Sequence, residues 1–398
     1  MEFNAGKKVF VTGIGVISAI GSNVKENLES LKNKRHGISN IELINTVHKD
    51  ELVVGEIKTT NNELVERLNI TAEEVYPRTT LLAIHAAKEA YDDAGLEPDA
   101  ALKTGVIVGT TVGGMDKSEL VYKNFGDDVS FINTHHCGYT TEKVADHLNA
   151  HDFITSLSTA CSSGVNAIML GARLIKHGII DRAIVGGTDA LSKFTINGFR
   201  TLMILDPEHC KPFDENRRGL NIGEGAGMLV LESEKTVGNK KVYCEITGYA
   251  NNNDAFHQTA SSPEGLGPYL SMKNALEISG LNTDDIHYIN VHGTGTENND
   301  LTEGLALLKL FDDKVPPFSS TKGFTGHTLG GAGGIESVFS ILSLQNDMIL
   351  PNLNFKDAIT DINIKPVKEV LYNKGVKNVM TNSFGFGGND STLIFSKV

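Results

Sequence analysis

The run STACSSG at residues 158–164 lies where an apolar, strand-like segment, FITSL at 153–157, gives way to a helical one. The segment after Gly164 carries apolar residues at helical spacing, which predicts a buried helix. A thiol attacks as its thiolate, and the free N–H groups and dipole of a helix N-terminus lower the pKa of a thiol there. A single cysteine is more often a small core residue than a catalyst. Cys161 nevertheless stands where a nucleophile gains most reactivity.

The composition is typical of a soluble α/β protein that does not bind nucleic acid or membranes. At 398 residues the chain is too long for one small core, and its 41 glycines fit many tight turns. The 49 acidic and 36 basic side chains leave a net charge of -13, which disfavours nonspecific binding to nucleic acid or anionic membranes. The first apolar stretch, VFVTGIGVIS at 9–18, is short and interrupted, so it predicts a strand and a turn rather than a signal peptide.

The cysteines indicate a reducing compartment. Four of them, at positions 137, 161, 210 and 244, show neither CxxC pairs nor the spacing of a disulfide framework. We therefore expect free thiols, a cytoplasmic location and no transmembrane span.

Strand-like and helix-like segments alternate along the chain, and their order repeats once. The first series ends near residue 238 and contains Cys161, and the second fills the rest of the chain. No low-complexity or linker-like stretch separates them. We predict two similar α/β halves, 1–238 and 239–398, that pack as one body.

Three glycine-flanked polar clusters follow strand-like runs in the second half: VHGTGT at 291–296, STKGFTGHTLGGAGG at 320–334 and NSFGFGGND at 382–390. Functional groups of open α/β sheets gather beyond the carboxyl ends of strands, so we expect these clusters to meet Cys161. One thiol and two imidazoles, His292 and His327, would then share a site. That set suits acyl transfer through a thioester, with neutral imidazole N–H donors stabilising charge on a second thioester.

These motifs, with NIGEGAGMLVLE at 221–232 and in this order, resemble those of the β-ketoacyl-acyl carrier protein synthases. The match is to the elongating Cys-His-His branch of the thiolase-like condensing enzymes and covers nearly the whole chain. It implies a thiolase-like fold, with two similar α/β halves in a five-layered α-β-α-β-α arrangement. It also implies decarboxylative condensation of an acyl thioester with a malonyl-carrier thioester, giving a 3-oxoacyl-carrier thioester and carbon dioxide in fatty acid biosynthesis.

The resemblance assigns catalytic roles to individual residues. Cys161 matches the acylated nucleophile. His292 and His327 match the pair that binds the malonyl thioester carbonyl and promotes loss of carbon dioxide. Lys322 matches a lysine that supports this pair, and Glu336 matches the buried acid linked to that lysine.

The resemblance also implies how substrates are held. The backbone N–H of Phe386 forms an oxyanion hole with that of Cys161, and the Phe386 ring gates the acyl chain. The expected substrate-binding residues are Thr294 and Thr296 for the phosphopantetheine arm, and Val112, Phe131, Ile132 and Phe199 for the acyl chain. No cofactor is expected on the enzyme itself, because the substrates arrive on the phosphopantetheine of acyl carrier protein.

Related classes differ from this chain at the motifs. A thiolase would carry a second catalytic cysteine in the C-terminal glycine loop, where NSFGFGGND has none. An initiating synthase would carry Asn in place of His327, and a chain-length factor would lack Cys161. The chain is therefore predicted to be an active subunit, and a purely structural partner role is disfavoured.

The chain departs from the family pattern in a few places. His135, His136 and Cys137 make a usually apolar stretch polar. A metal site there is disfavoured, because adjacent residues on a strand point to opposite faces and no fourth ligand is evident, so no metal is predicted. Further departures are Arg218, Asn389 and Asp390, which put the details of the substrate in doubt.

Acyl carrier protein is the expected partner, but the docking residues differ from the family. Glu73, Glu74 and Val75 replace the usual basic residues before the first long helix. The candidates for a substitute docking patch are the basic residues Arg78, Arg200 and Lys211. A second basic group, Lys32, Lys34 and Arg35, is a weaker candidate, because it fits an ordinary solvated face. An acidic carrier needs some such basic patch on this acidic chain.

Two possibilities stay open for the subunit assembly, and two for the metabolic pathway. Members of the family join through the strand near the nucleophile, which implies a homodimer or a heterodimer with a homologous subunit. The alternative to fatty acid biosynthesis is a specialised synthase of an aryl-polyene or other polyketide-like pigment, paired with a partner resembling a chain-length factor.

Overall fold

The computed structural model describes residues 8–71, 75–97, 99, 101–123, 130–312 and 314–398. The strands in this part are β1 (Val9–Ser18), β2 (Ser39–Asn40), β3 (Val53–Val54), β4 (Thr104–Gly109), β5 (Phe153–Leu157), β6 (Arg182–Asp189), β7 (Gly225–Ser233), β8 (Cys244–Asn253), β9 (Tyr288–Asn290), β10 (Phe318–Ser319), β11 (Met348–Ile349), β12 (Leu371–Tyr372), β13 (Asn378–Gly385) and β14 (Asn389–Ser396).

The helices in the same part are α1 (Val24–Lys32), α2 (Asn61–Arg67), α3 (Arg78–Asp93), α4 (Met115–Val121), α5 (Ser130–His135), α6 (Cys137–Leu148), α7 (Ser163–Lys176), α8 (Lys193–Thr201), α9 (Glu234–Val237), α10 (Leu266–Ser279), α11 (Glu297–Phe311), α12 (Lys322–Thr325) and α13 (Ala332–Gln345). Two short 3-10 helices cover Thr283–Asp285 and Leu329–Gly331. No helix among the described residues is long and apolar enough to cross a membrane.

The main sheet contains the same five-stranded unit twice. Its ten strands lie in the order β10-β9-β13-β14-β8-β1-β7-β6-β4-β5. In the first half, β1, β7 and β6 pair antiparallel, and β6, β4 and β5 pair parallel. In the second half, β8, β14, β13, β9 and β10 repeat this sequence of pairings. The prediction of two similar α/β halves is therefore confirmed.

Five layers follow from where the helices pack. Helices α7 and α13 lie between the two halves of the sheet and contact strands of both. Helices α3 and α6 cover the outer face of the first half, and α10, backed by α11, covers that of the second. Every residue of α13 from Ala332 to Leu344 is buried, as expected for a helix enclosed by the two halves of the main sheet. The predicted α-β-α-β-α arrangement is confirmed.

Glycines let the two central helices approach the first half of the sheet closely. A Cβ on Gly227 of β7 would lie 2.3 Å from the carbonyl carbon of Gly334 on α13. A Cβ on Gly164 of α7 would lie 2.8 Å from the nitrogen of the same Gly334. Any larger residue would push these elements apart. The contact therefore brings the N-terminal ends of α7 and α13, and the loops before them, to one place.

The strand-to-helix turn predicted at the STACSSG run is present. β5 ends at Leu157 and α7 begins at Ser163, so Cys161 lies in the turn between them. β1 is buried throughout, which confirms the interpretation of the first apolar stretch as a strand. The boundary at residue 238 stays a prediction, and it falls between the end of β7 at Ser233 and the start of β8 at Cys244.

Candidate active site

The turn that carries Cys161 is strained and held by hydrogen bonds. Ala160 has a φ of 53°, in the left-handed region that non-glycine residues rarely occupy. The Ser163 hydroxyl donates to the Ala160 carbonyl at 2.6 Å and accepts from the Thr159 N–H at 2.9 Å. These bonds fix the sharp turn at the start of α7. The Cys161 side chain, 5 % exposed, is thereby aimed into the interior rather than into solvent.

The structure brings both predicted histidines to this thiol. His292 follows β9, and His327 follows α12. The Nε2 atom of His327 lies 3.1 Å from the Cys161 Sγ. The two imidazole rings are 5.2 Å apart, centre to centre, and nearly perpendicular at 84°. The ligand atoms of Cys161, His292 and His327 all lie within 4.8 Å of one another, so one thioester carbonyl could contact both rings beside the thiol.

Lys322 supports the site through hydrogen bonds to His292 and an ion pair with Glu336. Its Nζ atom lies 2.6 Å from Oε1 of Glu336, 2.5 Å from the carbonyl oxygen of His292 and 3.3 Å from Nδ1 of His292. An ammonium group has three protons to donate, and these acceptors take all of them. Because Nδ1 of His292 accepts from Lys322, the ring proton of His292 lies on Nε2. His292 is therefore set as an N–H donor.

Burial and the Lys322 charge determine the protonation of the site. Burial, and secondly Lys322, hold the pKa values of His292 and His327 well below the usual range, so both rings are neutral at pH 7. Burial raises the pKa of Glu336 to about 6, although Lys322 opposes the rise. Neutral imidazoles can donate a hydrogen bond without acting as strong acids, as the sequence argument required.

The expectation of a lowered thiol pKa is wrong for this closed site. Burial raises the pKa of Cys161 to about 11, more than the positive charge of Lys322 and the backbone N–H of Phe386 lower it. The Phe386 N–H points to the Cys161 sulfur, as a donor of the expected oxyanion hole would. Desolvation thus outweighs the helix N-terminus.

Glu303, on α11, is a supporting residue that the sequence reasoning missed. Its carboxylate accepts from the backbone N–H groups of His292 and Gly293, both at 2.8 Å, and from the Asn382 amide at 3.1 Å. It therefore fixes the loop that carries His292 to the end of β13. An acidic residue within the otherwise apolar stretch LTEGLALL, 301–308, was the available signal.

Asp189, at the end of β6, is a second missed support. It accepts from the backbone N–H groups of Thr111, Val112 and Gly330, at 2.9, 3.1 and 2.7 Å. Hydroxyl groups of Thr110 and Thr111 also donate to it. This one carboxylate joins the end of β4 to the segment that follows His327. Its sequence context, GGTDA, gave no sign of these long-range contacts.

Two cavities meet at Cys161. The first, called the mouth cavity here, has a volume of about 350 Å³ and is lined by Cys161, His292, His327, Thr294, Thr296 and Phe386, among others. The second, called the acyl cavity, has a volume of about 370 Å³ and is lined by Val112, Cys161, Phe199 and Phe386, with mostly apolar neighbours. The Phe199 and Phe386 rings stack at 6.0 Å between them. Movement of Phe386 would open one cavity to the other.

Not all predicted substrate-binding residues line these two cavities. Thr294 and Thr296 line the mouth cavity, and Val112, Phe199 and Phe386 line the acyl cavity. Phe131 and Ile132 instead line a separate cavity between α4, α5 and α8. Their assignment to the acyl chain remains a prediction.

The predicted docking residues fall into different environments. Arg78 is wrong as a docking residue, because it is buried and its guanidinium forms two bonds to Glu224. Arg200 is half-exposed and pairs with Glu51, and Lys211 is half-buried. Of the less favoured group, Lys32 donates to Asn346, Lys34 pairs with Glu369, and Arg35 is exposed. Glu73 and Glu74 lie outside the described residues, whereas Val75 lies inside them.

The polar stretch is helical, which corrects the argument about a strand. His135 ends α5 and Cys137 begins α6, with His136 as the N-cap of α6. The His136 ring accepts from a backbone N–H of α6, and His135 bonds Ser118 at 2.7 Å. Among the residues that the structure describes, the one group of three or more His, Cys, Asp and Glu side chains close enough to hold a metal ion is Cys161, His292 and His327. The polar stretch forms no such group there.

The other departures lie beside the mouth cavity and behind the Phe386 loop. Arg218 lines the mouth cavity and pairs with Asp206 and Glu208. Asp390 is buried behind the Phe386 loop, and burial, with Asp254 next in effect, raises its pKa to about 8. Arg218 is thus the departure that an arriving substrate would meet.

Comparison with known proteins gives a consistent result. Residues 6–236 match the family model described as the N-terminal domain of beta-ketoacyl synthase, and residues 243–356 match its C-terminal domain. A 3-oxoacyl-[acyl-carrier-protein] synthase 2 from Staphylococcus aureus is 34% identical over 98% of both chains.

Solved structures agree in fold. The ishigamide ketosynthase/chain length factor structure is 29% identical with a TM-score of 0.91, covering 98% of this chain and 99% of the other. A ketosynthase in complex with its chain length factor from Xenorhabdus doucetiae is 28% identical with a TM-score of 0.85, covering 98% of each chain.

The raised pKa of Cys161 predicts how fast the resting thiol is alkylated. Because the reactive thiolate is scarce below a pKa of about 11, the rate should rise with pH by about tenfold per unit between about pH 7 and pH 10. Mass spectrometry of the Cys161 peptide after timed exposure to iodoacetamide measures this rate, with free cysteine as the control. A plateau at neutral pH would show that the thiol is already ionised.

The contacts of Glu303 predict its contribution to stability. Glu303→Ala leaves two buried N–H groups without an acceptor, at roughly 1–3 kcal/mol each, so the free energy of unfolding should fall by about 2–6 kcal/mol. Urea unfolding measures this change. Glu277→Ala, at an exposed site on α10, is the matched control and should change stability by no more than about 0.5 kcal/mol. Equal stability of the two variants would contradict the supporting role.

Proposed function

The chain belongs to the β-ketoacyl synthase family, and we propose that it uses Cys161, His292 and His327 for the condensation that defines this family. It is an acyltransferase, a 3-oxoacyl-acyl carrier protein synthase, which joins an acyl thioester to malonyl-acyl carrier protein with loss of carbon dioxide. The observation that carries the assignment of residues is the 3.1 Å approach of His327 Nε2 to the Cys161 sulfur.

In the first step, the acyl group moves from the carrier to Cys161. The sulfur attacks the thioester carbonyl, the carbonyl–sulfur bond to the carrier arm breaks, and the thiol proton ends on the departing arm. The N–H of Phe386 points to the sulfur, and Nε2 of His327, which we assign as the protonated ring nitrogen, lies 3.1 Å from it, so both favour the anionic form of the sulfur. Lys322 adds a positive charge nearby, so the site contains what the buried thiol needs to ionise when the acyl donor arrives.

In the second step, malonyl thioester loses carbon dioxide. Its carbonyl oxygen accepts from the Nε2–H groups of His292 and His327. The bond to the carboxylate breaks, and its electron pair moves into the thioester as an enolate, whose oxygen both imidazoles stabilise. No strong base is required, which fits rings whose pKa values lie well below the usual range.

In the third step, the new carbon–carbon bond forms. The enolate carbon attacks the acyl carbonyl on Cys161, and the N–H groups of Cys161 and Phe386 bind the resulting oxyanion. The carbon–sulfur bond then breaks, which releases the 3-oxoacyl-carrier thioester and returns Cys161 as a thiolate that takes a proton from water. Thr294 and Thr296, which line the mouth cavity, hold the phosphopantetheine arm in both half-reactions.

The partner that follows from this chemistry is acyl carrier protein. We place its docking surface beside the mouth cavity, where Arg200 and Lys211 remain as basic candidates. Arg200 lines a surface cleft that shares Met203 with the mouth cavity. The reaction needs no cofactor on the enzyme, and the four free thiols suit a cytoplasmic location.

Fatty acid biosynthesis is the pathway that the curated relative favours. A specialised polyene or polyketide-like pathway is the second candidate, because the two solved relatives are ketosynthases associated with chain length factors. His135, from the polar stretch, lines the same cavity as Phe131 and Ile132, the residues that the resemblance assigns to the acyl chain.

We also propose that the chain forms a homodimer through β5. Within the part of the chain that the structure describes, this strand is at the edge of the ten-stranded sheet, so one row of its backbone groups has no strand beside it. Its Ile154 is 37% exposed, and helices α5 and α8, which border one cavity, expose Ile132 and Phe194. Pairing of β5 with the same strand of a second copy would cover these groups. The alternative occupant of this edge is a homologous subunit.

Substitution of His327 separates the two half-reactions. In His327→Ala, Cys161 should still accept an acyl group, whereas carbon dioxide release from malonyl-acyl carrier protein should fall by about a hundredfold or more, since one of two enolate donors is lost. Intact-protein mass spectrometry detects the adduct, and labelled carbon dioxide reports decarboxylation.

Several results would contradict this assignment. Cys161→Ala is the control and should carry no adduct. A His327→Ala protein that lost acylation but kept decarboxylation would reverse the proposed role, and wild-type protein without an adduct from any saturated or polyunsaturated acyl donor would refute the proposed function. A preference for polyunsaturated donors would favour the specialised pathway.

A charge on the edge of β5 should prevent dimer formation. We expect wild-type protein to have twice the mass of one chain in light scattering after gel filtration, and Ile154→Lys to have the mass of one chain, because a lysine on an edge strand opposes strand pairing. Ile278→Lys, at an exposed site on α10, is the control. Wild-type protein that is monomeric alone and dimeric only with a homologous subunit would contradict the homodimer.

A further inference from the structure

Asp390, near the start of β14, is a buried acid without a hydrogen-bond partner. Its side chain is 1 % exposed, and neither of its carboxylate oxygens bonds to a residue that the structure describes. An ionised carboxylate in such a place has neither water nor donors around it, which is costly. No step of the proposed mechanism uses this group.

The charged groups that face Asp390 are acids. Asp254, in the loop after β8, has the largest effect, and Glu303 of α11 acts in the same direction. The backbone of α10 lies against the carboxylate, since a Cβ on Gly267 would lie 1.9 Å from Oδ2 of Asp390. The residues opposite it on β8 and β13 carry no charge. Among the described residues, nothing cationic therefore acts on Asp390.

These surroundings keep Asp390 neutral at pH 7. Burial, then Asp254 and Glu303, raise the pKa of Asp390 from its ordinary value of 3.8 to about 8. An asparagine has nearly the same shape and no proton to lose. The acid in this chain therefore places a charge behind the Phe386 loop only when the pH rises about one unit above neutral.

The hairpin that contains Asp390 also carries the Phe386 loop, residues 386–388. The two strands of the hairpin pair as far as the residues on either side of this loop. The N–H of Gly387 donates to the carbonyl oxygen of Gln258 at 2.8 Å, and the Asn253 amide donates to the Gly387 carbonyl at 2.7 Å. The position of the Phe386 loop therefore depends on the segment that follows β8.

Asp254 connects Asp390 to that segment. Its carboxylate accepts from the backbone N–H groups of Ser262 at 2.8 Å and Phe256 at 3.3 Å, so it holds the segment between β8 and α10 in shape. It also packs against the Phe386 loop, since a Cβ on Gly388 would lie 2.3 Å from Oδ1 of Asp254. Repulsion from an ionised Asp390 would thus act on the carboxylate beside the loop and its anchor.

We propose, on the basis of the proposed function, that neutral Asp390 is a positioning residue that holds the Phe386 loop closed, and that loss of its proton to solvent releases the loop. In the closed position the Phe386 N–H points to the Cys161 sulfur. Once the loop is released, the expected oxyanion hole loses this donor. Acylation of Cys161 therefore slows in alkaline solution, although the thiol, His292 and His327 stay in place.

The pH profile of acylation tests this role. Wild-type and Asp390→Asn proteins are acylated with octanoyl-acyl carrier protein between about pH 6 and pH 9, and mass spectrometry gives the initial rate of adduct formation on Cys161. The ratio of the wild-type rate to the variant rate should stay constant up to about pH 7 and fall by about tenfold at pH 9, where about a tenth of Asp390 stays neutral. Ionisation of Cys161 and Glu303 cancels in this ratio.

Fluorine NMR follows the loop without an acyl donor. In protein labelled with 4-fluorophenylalanine, the Phe386 signal is identified by its absence from Phe386→Leu protein. This signal should shift with a midpoint near pH 8 in wild type and stay constant there in Asp390→Asn. Asp254→Asn should lower the midpoint, because it removes the larger of the two repelling charges.

Melting temperatures provide a third measurement with a different pH range. Asp390 ionises near its ordinary pKa in the unfolded chain and near pH 8 in the folded one, so its contribution to stability is lost as the pH rises between these values. The melting temperature of wild type should therefore fall relative to that of Asp390→Asn from about pH 4 to pH 8. Asp284→Asn, at an exposed site on the first 3-10 helix, is the matched control and should keep the wild-type profiles.

The outcomes separate this inference from the function on which it rests. A constant rate ratio, or a Phe386 signal that does not titrate, would overturn the role of Asp390 and leave the synthase assignment standing. A titrating signal in wild-type protein that forms no adduct at any pH would overturn the synthase assignment and leave the loop contact standing. If Asp390→Asn fails to fold, an unchanged midpoint in Asp254→Asn overturns the proposal.

A metal ion is the competing explanation for a neutralised Asp390. The fluorine titration is repeated with potassium or magnesium in place of tetramethylammonium at constant ionic strength. A midpoint that moves with the metal would show that a cation rather than a proton neutralises the carboxylate, and would overturn the proposal. A midpoint independent of the metal, together with the fall of the rate ratio, would establish it.

Discussion

The buried ammonium of Lys322 is the interaction on which the site depends. A charge that is 1 % exposed is costly unless each of its protons is bonded, and Glu336, with two atoms of His292, supplies the acceptors. Burial, and secondly this charge, keep the imidazoles of His292 and His327 neutral, and the charge also opposes the rise of the Cys161 pKa. One cation thus fixes the tautomer of His292 and the position of the loop that carries it, and it adds to the effect of burial on the protonation of both histidines.

Buried carboxylates fix the loops of the site by accepting hydrogen bonds from backbone N–H groups, as Lys322 fixes the ring of His292. Glu303 binds the backbone of the His292 loop, and Asp189 binds the segments after β4 and after His327. Asp300 accepts in the same way from the backbone of Phe213 and Gly295. Glycine-rich loops are flexible in isolation, and such acceptors hold them without filling the cavities. The loops of the site are therefore held by acids that line neither the mouth cavity nor the acyl cavity.

The sequence was sufficient for features that depend on local pattern. The strand-to-helix turn at Cys161 could be predicted because β5 and α7 have clear periodicity, and the paired halves because the order of elements repeats. Glu303 was missed because its partners are brought near by the fold. Arg78 was misjudged because nothing in its neighbourhood reveals that Glu224, far along the chain, pairs with it. The Cys161 pKa was misjudged because burial is a property of the whole fold and outweighs the local dipole.

Burial acts in opposite directions on the nucleophile and on the donors, and this difference orders the chemistry. It raises the pKa of Cys161 to about 11 and lowers the pKa values of the two histidines, so the resting site holds a thiol and two neutral rings with no net proton acceptor of any strength. In the mechanism that we propose, such a site attacks little until an acyl thioester fills it and the N–H groups bind the sulfur. Once Cys161 is acylated in that mechanism, its ionisation no longer matters, and the same neutral rings can act on malonyl thioester. The two halves of the duplicated fold divide these proposed tasks. The first half supplies the thiol, and the second half supplies the imidazole N–H donors, which act on malonyl thioester after the thiol has been acylated.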